Sequence, residues 1–114
     1  MSIANVTFLG NEPFAVESPL QLVEGASITF VCTYADGTTV SGTPTAVAYK
    51  KKTAVTTTVF PTGSVTASGN VVTLKPATGF IGGNKYIIAV TAVVDSITLV
   101  HKFQINAAKD ESEQ

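Results

Sequence analysis

The sequence predicts an all-β protein folded as a single antiparallel β-sandwich of about seven to nine strands. The chain has 114 residues, a length that suits one domain. Several short segments alternate apolar and polar residues with a period of two, and clusters of Gly, Pro, Asn, Asp or Ser separate them. No segment sustains the helical period of about 3.6 residues. Short strands with turn residues between them are typical of a sandwich.

The best-patterned stretch is a predicted hairpin over residues 82–106. Its two apolar, β-branched runs meet at Asp95-Ser96, a break of the length that a tight turn needs. Because strand side chains alternate between two faces, each run has one face that would be buried. These faces comprise Tyr86, Ile88, Val90, Ala92 and Val94 on the first run and Ile97, Leu99, His101, Phe103 and Ile105 on the second. We expect this hairpin to form the centre of the core.

The N-terminal third contains one weak and one strong strand signal. Residues 3–9 predict a short strand at a sheet edge, because a proline follows closely. Shorter extended pieces are expected at 14–16 and at 20–23, after Pro19. Residues 26–34 predict a half-buried strand, because apolar residues recur at every second position. The inward-facing set there is Ile28, Phe30, Cys32 and Tyr34.

The middle of the chain alternates strand and turn signals. The predicted elements are a strand over 45–49, a strand over the β-branched run 54–60, and a small hairpin formed by 64–67 and 70–74. Lysines 50–52 follow the first of these strands, where lysines stay solvated and block pairing at a sheet edge. Residues 76–83, rich in glycine, predict a loop in which Phe80 is the buried anchor.

These elements divide the chain into three parts. Residues 1–23 form an N-terminal extended segment, 24–106 the sandwich, and 107–114 a polar tail. The first segment is extended, apolar and interrupted by proline, which fits poorly with a self-contained first strand. We expect it to be part of an assembly contact, made by adding a strand to a neighbouring subunit. The tail is too polar to bury surface and is expected to fray.

The charge of the chain limits its partners. The net charge is −1, and all seven basic residues are lysines. Without arginine there is no bidentate recognition of phosphate or guanine, so we expect no nucleic-acid partner. Charged residues make up 13% of the chain, about half of the usual share. Either a partner covers part of the surface, or threonine and serine supply the missing polarity.

Cysteine usage and hydropathy indicate where the chain is made. Cys32 is the only cysteine, so an internal disulfide is excluded. The N-terminus lacks the basic region and the apolar core of a signal peptide. No apolar run has the length of a membrane span. We therefore expect synthesis in a reducing cytoplasm and no membrane partner.

Residue types that catalyse reactions or bind metals are few. His101 shares a strand face with Leu99 and Phe103, which favours a core or interface histidine whose ring is satisfied by hydrogen bonds. Cys32 is expected to be a small buried hydrophobe, because burial raises the pKa of a thiol. No spacing of His, Cys or carboxylates suggests a metal site, and no glycine-rich loop leads into a helix. We predict that the chain is not an enzyme and has no catalytic residue, cofactor or metal site.

Over most of its length the chain resembles an immunoglobulin-like domain. In that family an early strand carries an inward cysteine, and a later strand begins with a tyrosine whose hydroxyl bonds back to the preceding corner. Cys32 and Tyr86 stand at the corresponding places. Ile88 replaces the second cysteine of the family, and Tyr49 is among the nearest substitutes for its core tryptophan. The resemblance is therefore to cysteine-poor members, which occur in virion proteins of tailed bacteriophages and in bacterial adhesin modules.

The resemblance implies a non-enzymatic virion structural protein that is made in the host cytoplasm. A bacteriophage capsid decoration protein, which stabilises the head by binding the lattice of the major capsid protein, is the first expectation. Such proteins often form dimers or trimers. The alternatives are a neck or tail accessory protein, a carbohydrate- or cell-surface-binding module, and a fragment of a longer adhesin. A carbohydrate site would need exposed aromatic side chains, for which the candidates are Phe14, Tyr34, Phe60 and Phe80.

Overall fold

The structure, a computed structural model, describes residues 2–10 and 12–109. Its elements, in chain order, are β1 (Ser2–Thr7), β2 (Leu20–Val23), β3 (Ile28–Thr33), β4 (Val40–Lys50), β5 (Thr53–Ala54), α1 (Thr56–Val59), β6 (Thr66–Ser68), β7 (Val71–Thr73), β8 (Lys85–Val94) and β9 (Ile97–Ala108). The described chain is thus all-β with nine strands, which confirms the predicted fold class. No helix in this part of the chain has the length and apolar character required to cross a membrane.

The strands form two sheets that enclose one core. One sheet has four strands in the order β1-β3-β7-β6, and the other has five in the order β2-β9-β8-β4-β5. Two pairs, β1 with β3 and β2 with β9, are parallel, whereas the sequence predicted an antiparallel sandwich throughout. For β1 and β3, the crossover connection that parallel neighbours need is residues 8–27. This stretch leaves the first sheet, contributes β2 to the second, and returns to β3.

The N-terminal segment is part of this sandwich. β1 forms an edge of the four-stranded sheet, as the sequence predicted, and β2 forms an edge of the five-stranded sheet. Val6, Phe8 and Ala15 are buried within the common core. The segment 1–23 therefore stabilises its own domain, and its additional role as an assembly contact stays a prediction.

The core is built from the alternation that the sequence shows. In β3 the side chains of Ile28, Phe30 and Cys32 are buried, and the residues between them are half-buried. β8 follows the same rule, because Tyr86 and every second residue after it are buried. Phe30 and Phe103 meet across the core with ring centroids 4.9 Å apart. The inward faces predicted for these strands are confirmed.

The closing hairpin turns where the sequence predicted. Asp95 and Ser96 have φ angles of 49° and 70°, as a two-residue hairpin turn requires at both central positions. Ile97, predicted to face inward, is 61% exposed because it directly follows the turn, at the end of the hairpin. At the other end β9 continues to Ala108 and Ala107 is buried, so the polar tail begins later than predicted. Residues 110–114 of that tail lie outside the described residues.

The run 54–60 does not form the predicted strand. β5 ends at Ala54, and the chain then makes the single turn of α1. Val59 and Phe60 are both buried, although they are consecutive. Two consecutive residues of a strand point to opposite faces, so a strand packed on one face only would bury one of them, whereas the turned backbone here buries both. Tertiary packing here overrides the β propensity of threonine and valine. The small hairpin of β6 and β7, in contrast, confirms the prediction.

Tyr86 closes the connection between the two sheets. Its buried hydroxyl accepts a hydrogen bond of 2.9 Å from the backbone N–H of Ile81, five residues upstream. The ring of Phe80 packs edge-on against it at 5.1 Å, and Phe80 is buried as predicted. The hydroxyl thus bonds back to the preceding loop, as expected for Tyr86, and we call this arrangement the corner. The corner holds the glycine-rich loop 76–83 against the start of β8.

We predict that Tyr86→Ala lowers the free energy of unfolding by about 3–5 kcal/mol, because it removes a buried ring and a hydrogen bond. Tyr86→Phe should cost only about 1 kcal/mol, the contribution of the hydroxyl alone. Urea denaturation monitored by circular dichroism measures both values. A loss below about 1 kcal/mol for Tyr86→Ala would show that the corner does not support the fold.

Candidate interaction surface

His101, the single histidine, lies in the core with 2% of its surface exposed. Its Nε2 donates to the carbonyl oxygen of Gly10 at 3.0 Å, since a carbonyl can only accept. The ring of Phe8 stacks on the imidazole at 4.7 Å, and Tyr34 meets it edge-on at 5.4 Å. The predicted core position is thus confirmed, whereas the expected satisfaction of the ring holds for Nε2 and not for Nδ1. Within the described residues, His101 Nδ1 and the Tyr34 hydroxyl have no hydrogen-bond partner.

Cys32 is fully buried on β3, as predicted. Burial raises the pKa of its thiol to about 12, with a smaller contribution from the negative charge of Glu17. The thiol therefore stays protonated and a poor nucleophile at neutral pH. Burial, followed by the neighbouring Cys32, also raises the pKa of the Tyr34 phenol above its ordinary value of 10.0.

The aromatic residues considered for carbohydrate binding divide into two groups. Tyr34, Phe60 and Phe80 are buried, because each packs against the core. Only Phe14 of the four presents a large exposed fraction, 47% of its surface. Three of the four candidates are thus wrong. A single exposed ring does not make the aromatic platform expected for a sugar.

The lysine run lies at the turn between β4 and β5. Lys50 pairs with Thr53 at the end of β4, and Lys51 and Lys52 are exposed in the turn. Since β5 is the edge of its sheet, the lysines occupy the edge position that the sequence predicted.

Among the described residues, no group of three or more His, Cys, Asp or Glu side chains is arranged so that it could hold a metal ion.

A cleft of about 430 Å³ opens beside β4, where pairing with β8 is interrupted between Ser41 and Thr45. It is lined by Thr43, Pro44, Thr45, Ala46, Phe60, Gly63, Ser64, Val65 and Lys75. Lys75 carries the only ionisable side chain among these described lining residues. The cleft therefore offers a ligand apolar surface, a few hydroxyls and one positive charge.

The outer face of the five-stranded sheet is unusual because its centre is apolar. On β8 the outward positions alternate with the buried ones and carry Lys85, Ile87, Ala89, Thr91 and Val93, of which only Lys85 is charged. Beside them β4 places Tyr49 opposite Ile87 and Val47 opposite Ala89. A sheet whose outer face only meets water normally carries polar residues there.

The apolar centre extends across β9 to the N-terminal segment. Val100, 53% exposed, lies opposite Thr91, and Lys102 lies opposite Ala89. Phe14 forms a parallel bridge with Lys102 and so lies on the same side of the sheet. We call this surface the outer patch: Phe14, Val47, Tyr49, Ile87, Ala89, Thr91, Val93, Val100 and Lys102. Thr98, Gln104 and Asn106 of β9 border it with polar side chains.

The four-stranded sheet provides an internal comparison. The strand pairings place on its outer face Ile3, Asn5, Thr7, Thr29, Val31, Thr33, Thr66, Ser68, Val71 and Thr73. Hydroxyl and amide side chains predominate in this set. The chain thus alternates apolar and polar faces on one sheet in the ordinary way, and departs from that rule on the other. The departure makes the outer patch the candidate contact surface.

Exposed large hydrophobic side chains are concentrated in the N-terminal segment. Eight of them are exposed in the described chain, and five belong to the N-terminal segment: Ile3, Leu9, Phe14, Val16 and Val23. Large apolar side chains that cluster on a surface mark contact sites more often than scattered ones do. The concentration supports the expectation that the N-terminal segment contributes to an assembly contact.

The sequence of β8 itself indicates the outer patch. Residues 85–94 read KYIIAVTAVV, so β-branched or apolar residues occupy most positions of both parities. The even-numbered positions are required for the core. The odd-numbered positions are also mostly apolar, so the strand has two apolar faces, which is typical of strands covered on both sides.

No protein-family model matches the sequence, and a search of curated proteins found no matching relative. The function must therefore be inferred from the fold and the surface.

We predict that Tyr34→Phe leaves the free energy of unfolding unchanged or raises it by up to about 1 kcal/mol, because it removes a buried hydroxyl that has no partner within the described residues. The matched control is Tyr86→Phe, which removes a bonded hydroxyl and should be destabilising. Urea denaturation of both variants distinguishes the two cases. A clear loss of stability in Tyr34→Phe would show that the hydroxyl is paired in solution.

We also predict a loss of stability at alkaline pH. The folded state holds the Cys32 proton up to a pKa of about 12, whereas the unfolded chain releases it near 9.0. Stability from this group is therefore complete below pH 9 and decreases above it, by at most about 1.4 kcal/mol per pH unit. In Cys32→Ala the loss of stability should begin only at about pH 10, the ordinary pKa at which the Tyr34 phenol of the unfolded chain releases its proton. Urea denaturation between pH 8 and 11 tests this, and identical profiles for both proteins would contradict it.

Proposed function

We propose that this chain is a non-enzymatic structural protein of a bacteriophage virion, and that it binds the capsid lattice through the outer patch. The observation that carries the proposal is the apolar centre of this patch, formed by Ile87, Ala89, Val47 and Val100. The partner is the major capsid protein or another virion protein, and no cofactor, nucleic acid or membrane takes part. The proposed location is the virion, with synthesis in the host cytoplasm.

The chemistry of the patch favours a protein partner. Its centre is apolar and its border is polar, which is the usual anatomy of a protein–protein interface. Lys102 and Tyr49 add a positive charge and a hydroxyl that can fix the orientation of a partner. A flat sheet face suits another protein surface better than it suits a small ligand, which needs a concave site.

The resemblance to immunoglobulin-like virion domains supports the choice of partner. The sandwich, the back-bonded Tyr86 and the buried unpaired Cys32 agree with a cysteine-poor domain of that kind. Fold likeness alone does not determine function, so the proposal combines it with the low charge of the chain and the apolar patch. The carbohydrate-binding alternative lacks comparable support, because Phe14 is the only one of its candidate rings with a large exposed fraction.

We predict that Val100→Glu lowers the affinity for capsids at least about tenfold, since it places a charge in the apolar centre. Phe14→Ala should weaken binding in the same direction. Ile97→Glu is the matched control: Ile97 is a similarly exposed apolar residue on the same strand, but it lies beside the turn and outside the patch. Co-sedimentation with purified capsids that lack the protein measures binding, and thermal melts verify folding.

Point substitutions are a sharper test than removal of the N-terminal segment. Deleting residues 1–23 would also delete β1, β2 and the buried Phe8, and would unfold the sandwich. Equal binding of Val100→Glu and Ile97→Glu would exclude the outer patch.

Counting copies per virion distinguishes the proposed locations. Quantitative mass spectrometry of purified particles should find hundreds of copies if the chain decorates the head. A few copies would instead assign it to the neck or tail. If the particles contained no copy of the chain, the virion proposal would be overturned. The count is independent of which surface makes the contact.

A further inference from the structure

The two sheets have four edges, and these differ in how they are protected. β5 has two residues next to the lysine run, β6 has three residues, and β2 has four residues that follow Pro19. Short strands, lysines and prolines are the usual means of preventing edge pairing. β1 has six residues, Ser2–Thr7, with neither a charge nor a proline. Among the four edge strands of the described chain, β1 is therefore the one least protected by shortness, charge or proline.

The hydrogen bonds at the end of β1 show which backbone groups face outward. Thr7 N–H donates to a carboxylate oxygen of Glu17 at 2.8 Å, and the Thr7 carbonyl accepts from Val16 N–H at 3.1 Å. Phe8 N–H, one residue later, donates to Thr33 at the end of β3. Thr7 therefore directs its backbone groups away from β3. Because this direction alternates along a strand, Ile3 and Asn5 direct theirs to the open edge as well.

We propose that a second copy of this chain binds this edge, with the two β1 strands antiparallel about a two-fold axis at Ala4. Ile3 of each copy then lies opposite Asn5 of the other. Since both residues direct N–H and C=O outward, the two pairs form four backbone hydrogen bonds. This self-association is separate from the outer patch, which lies on the other sheet.

The sequence of β1 suits pairing with itself. Ser2–Thr7 is uncharged, so the two-fold arrangement places no like charges opposite each other. Ala4 would meet Ala4 of the second copy as a non-hydrogen-bonded pair, where the Cα atoms approach to about 4.5 Å and a small residue fits well. Ile3, 65% exposed, would be covered in part by Asn5 of the second copy.

The same hydrogen bonds limit the assembly to a dimer. Thr7 is already paired with Val16 and Glu17, so the shared strand ends at Val6. A two-fold contact uses the same edge of both copies and leaves no second β1 edge for a further subunit. The contact is small, so we expect a concentration-dependent dimer with a Kd in about the micromolar to millimolar range.

Disulfide trapping tests the proposed register. Ala4→Cys should form a disulfide-linked dimer under mild oxidation, because the pair at the axis has a suitable Cα separation. Ile3→Cys is the matched control: this site is more exposed, but two copies of it lie apart in the proposed register. The native Cys32 is buried and does not interfere. Faster crosslinking of Ile3→Cys than of Ala4→Cys would overturn the register.

Analytical ultracentrifugation tests the edge itself. Asn5→Pro removes an outward N–H without removing a donor to β3, and should weaken the dimer at least about tenfold. Ser68→Lys, on β6 at the opposite edge of the same sheet, should leave the dimer unchanged. Thermal melts verify that both variants fold. A strictly monomeric native chain at millimolar concentration, or an equal effect of both substitutions, would overturn the proposal.

Discussion

The sandwich depends on an aromatic contact between its two sheets. Phe30 of β3 and Phe103 of β9 meet with ring centroids 4.9 Å apart, and Phe8 packs against Phe103 from the crossover that follows β1. Phe8 also stacks on His101 of β9. These rings connect both sheets and the N-terminal segment in one cluster. Because protein interiors pack as densely as organic crystals, a cavity here would weaken the packing of both sheets and of the N-terminal segment.

This cluster has a polar component that is not fully compensated. His101 satisfies Nε2 through Gly10, while its Nδ1 and the hydroxyl of Tyr34 are buried and have no partner in the described part of the chain. Each such atom costs about 1–3 kcal/mol relative to a paired one. The rings offset this cost through stacking and edge contacts. The His101–Gly10 bond also fixes the start of the crossover to β9, which is a positioning role that an apolar side chain could not perform.

Much of this fold could be predicted from the sequence, because alternation and turn chemistry act locally. The faces of β3 and β8 and the turn at Asp95-Ser96 follow from such short-range rules, whereas the back-bonding of Tyr86 was expected from the resemblance. The turn of α1 could not be predicted in this way, since the need to bury both Val59 and Phe60 arises only from their tertiary neighbours. The parallel pairing of β1 with β3 and of β2 with β9 was also not predicted, because it depends on the order of strands in the sheets and not on local alternation.

The candidate surface was only partly predictable. The exposed apolar residues of the N-terminal segment fit its expected role, and the buried positions of Cys32 and His101 were foreseen. The outer patch was missed, although Ile87, Ala89 and Val93 are visible in the sequence as the second parity of β8. What the sequence could not reveal is that β4 and Phe14 complete this face, because those neighbours are set by sheet order and by the crossover.

The two proposed contacts are geometrically compatible in a way that bears on function. Directly opposed residues of an antiparallel pair have their side chains on the same face, so two copies joined through β1 have their cores on the same side of the joined sheet. Each five-stranded sheet then covers that side, and the outer patch of both copies faces in one direction. A dimer of this kind would meet a repeating lattice with two patches at once. Linked sites of this kind gain avidity far beyond the affinity of either one, provided that the lattice spacing allows both to engage. A weak edge contact and a modest patch could together give stable attachment to a capsid, while the free chain stays largely monomeric at low concentration.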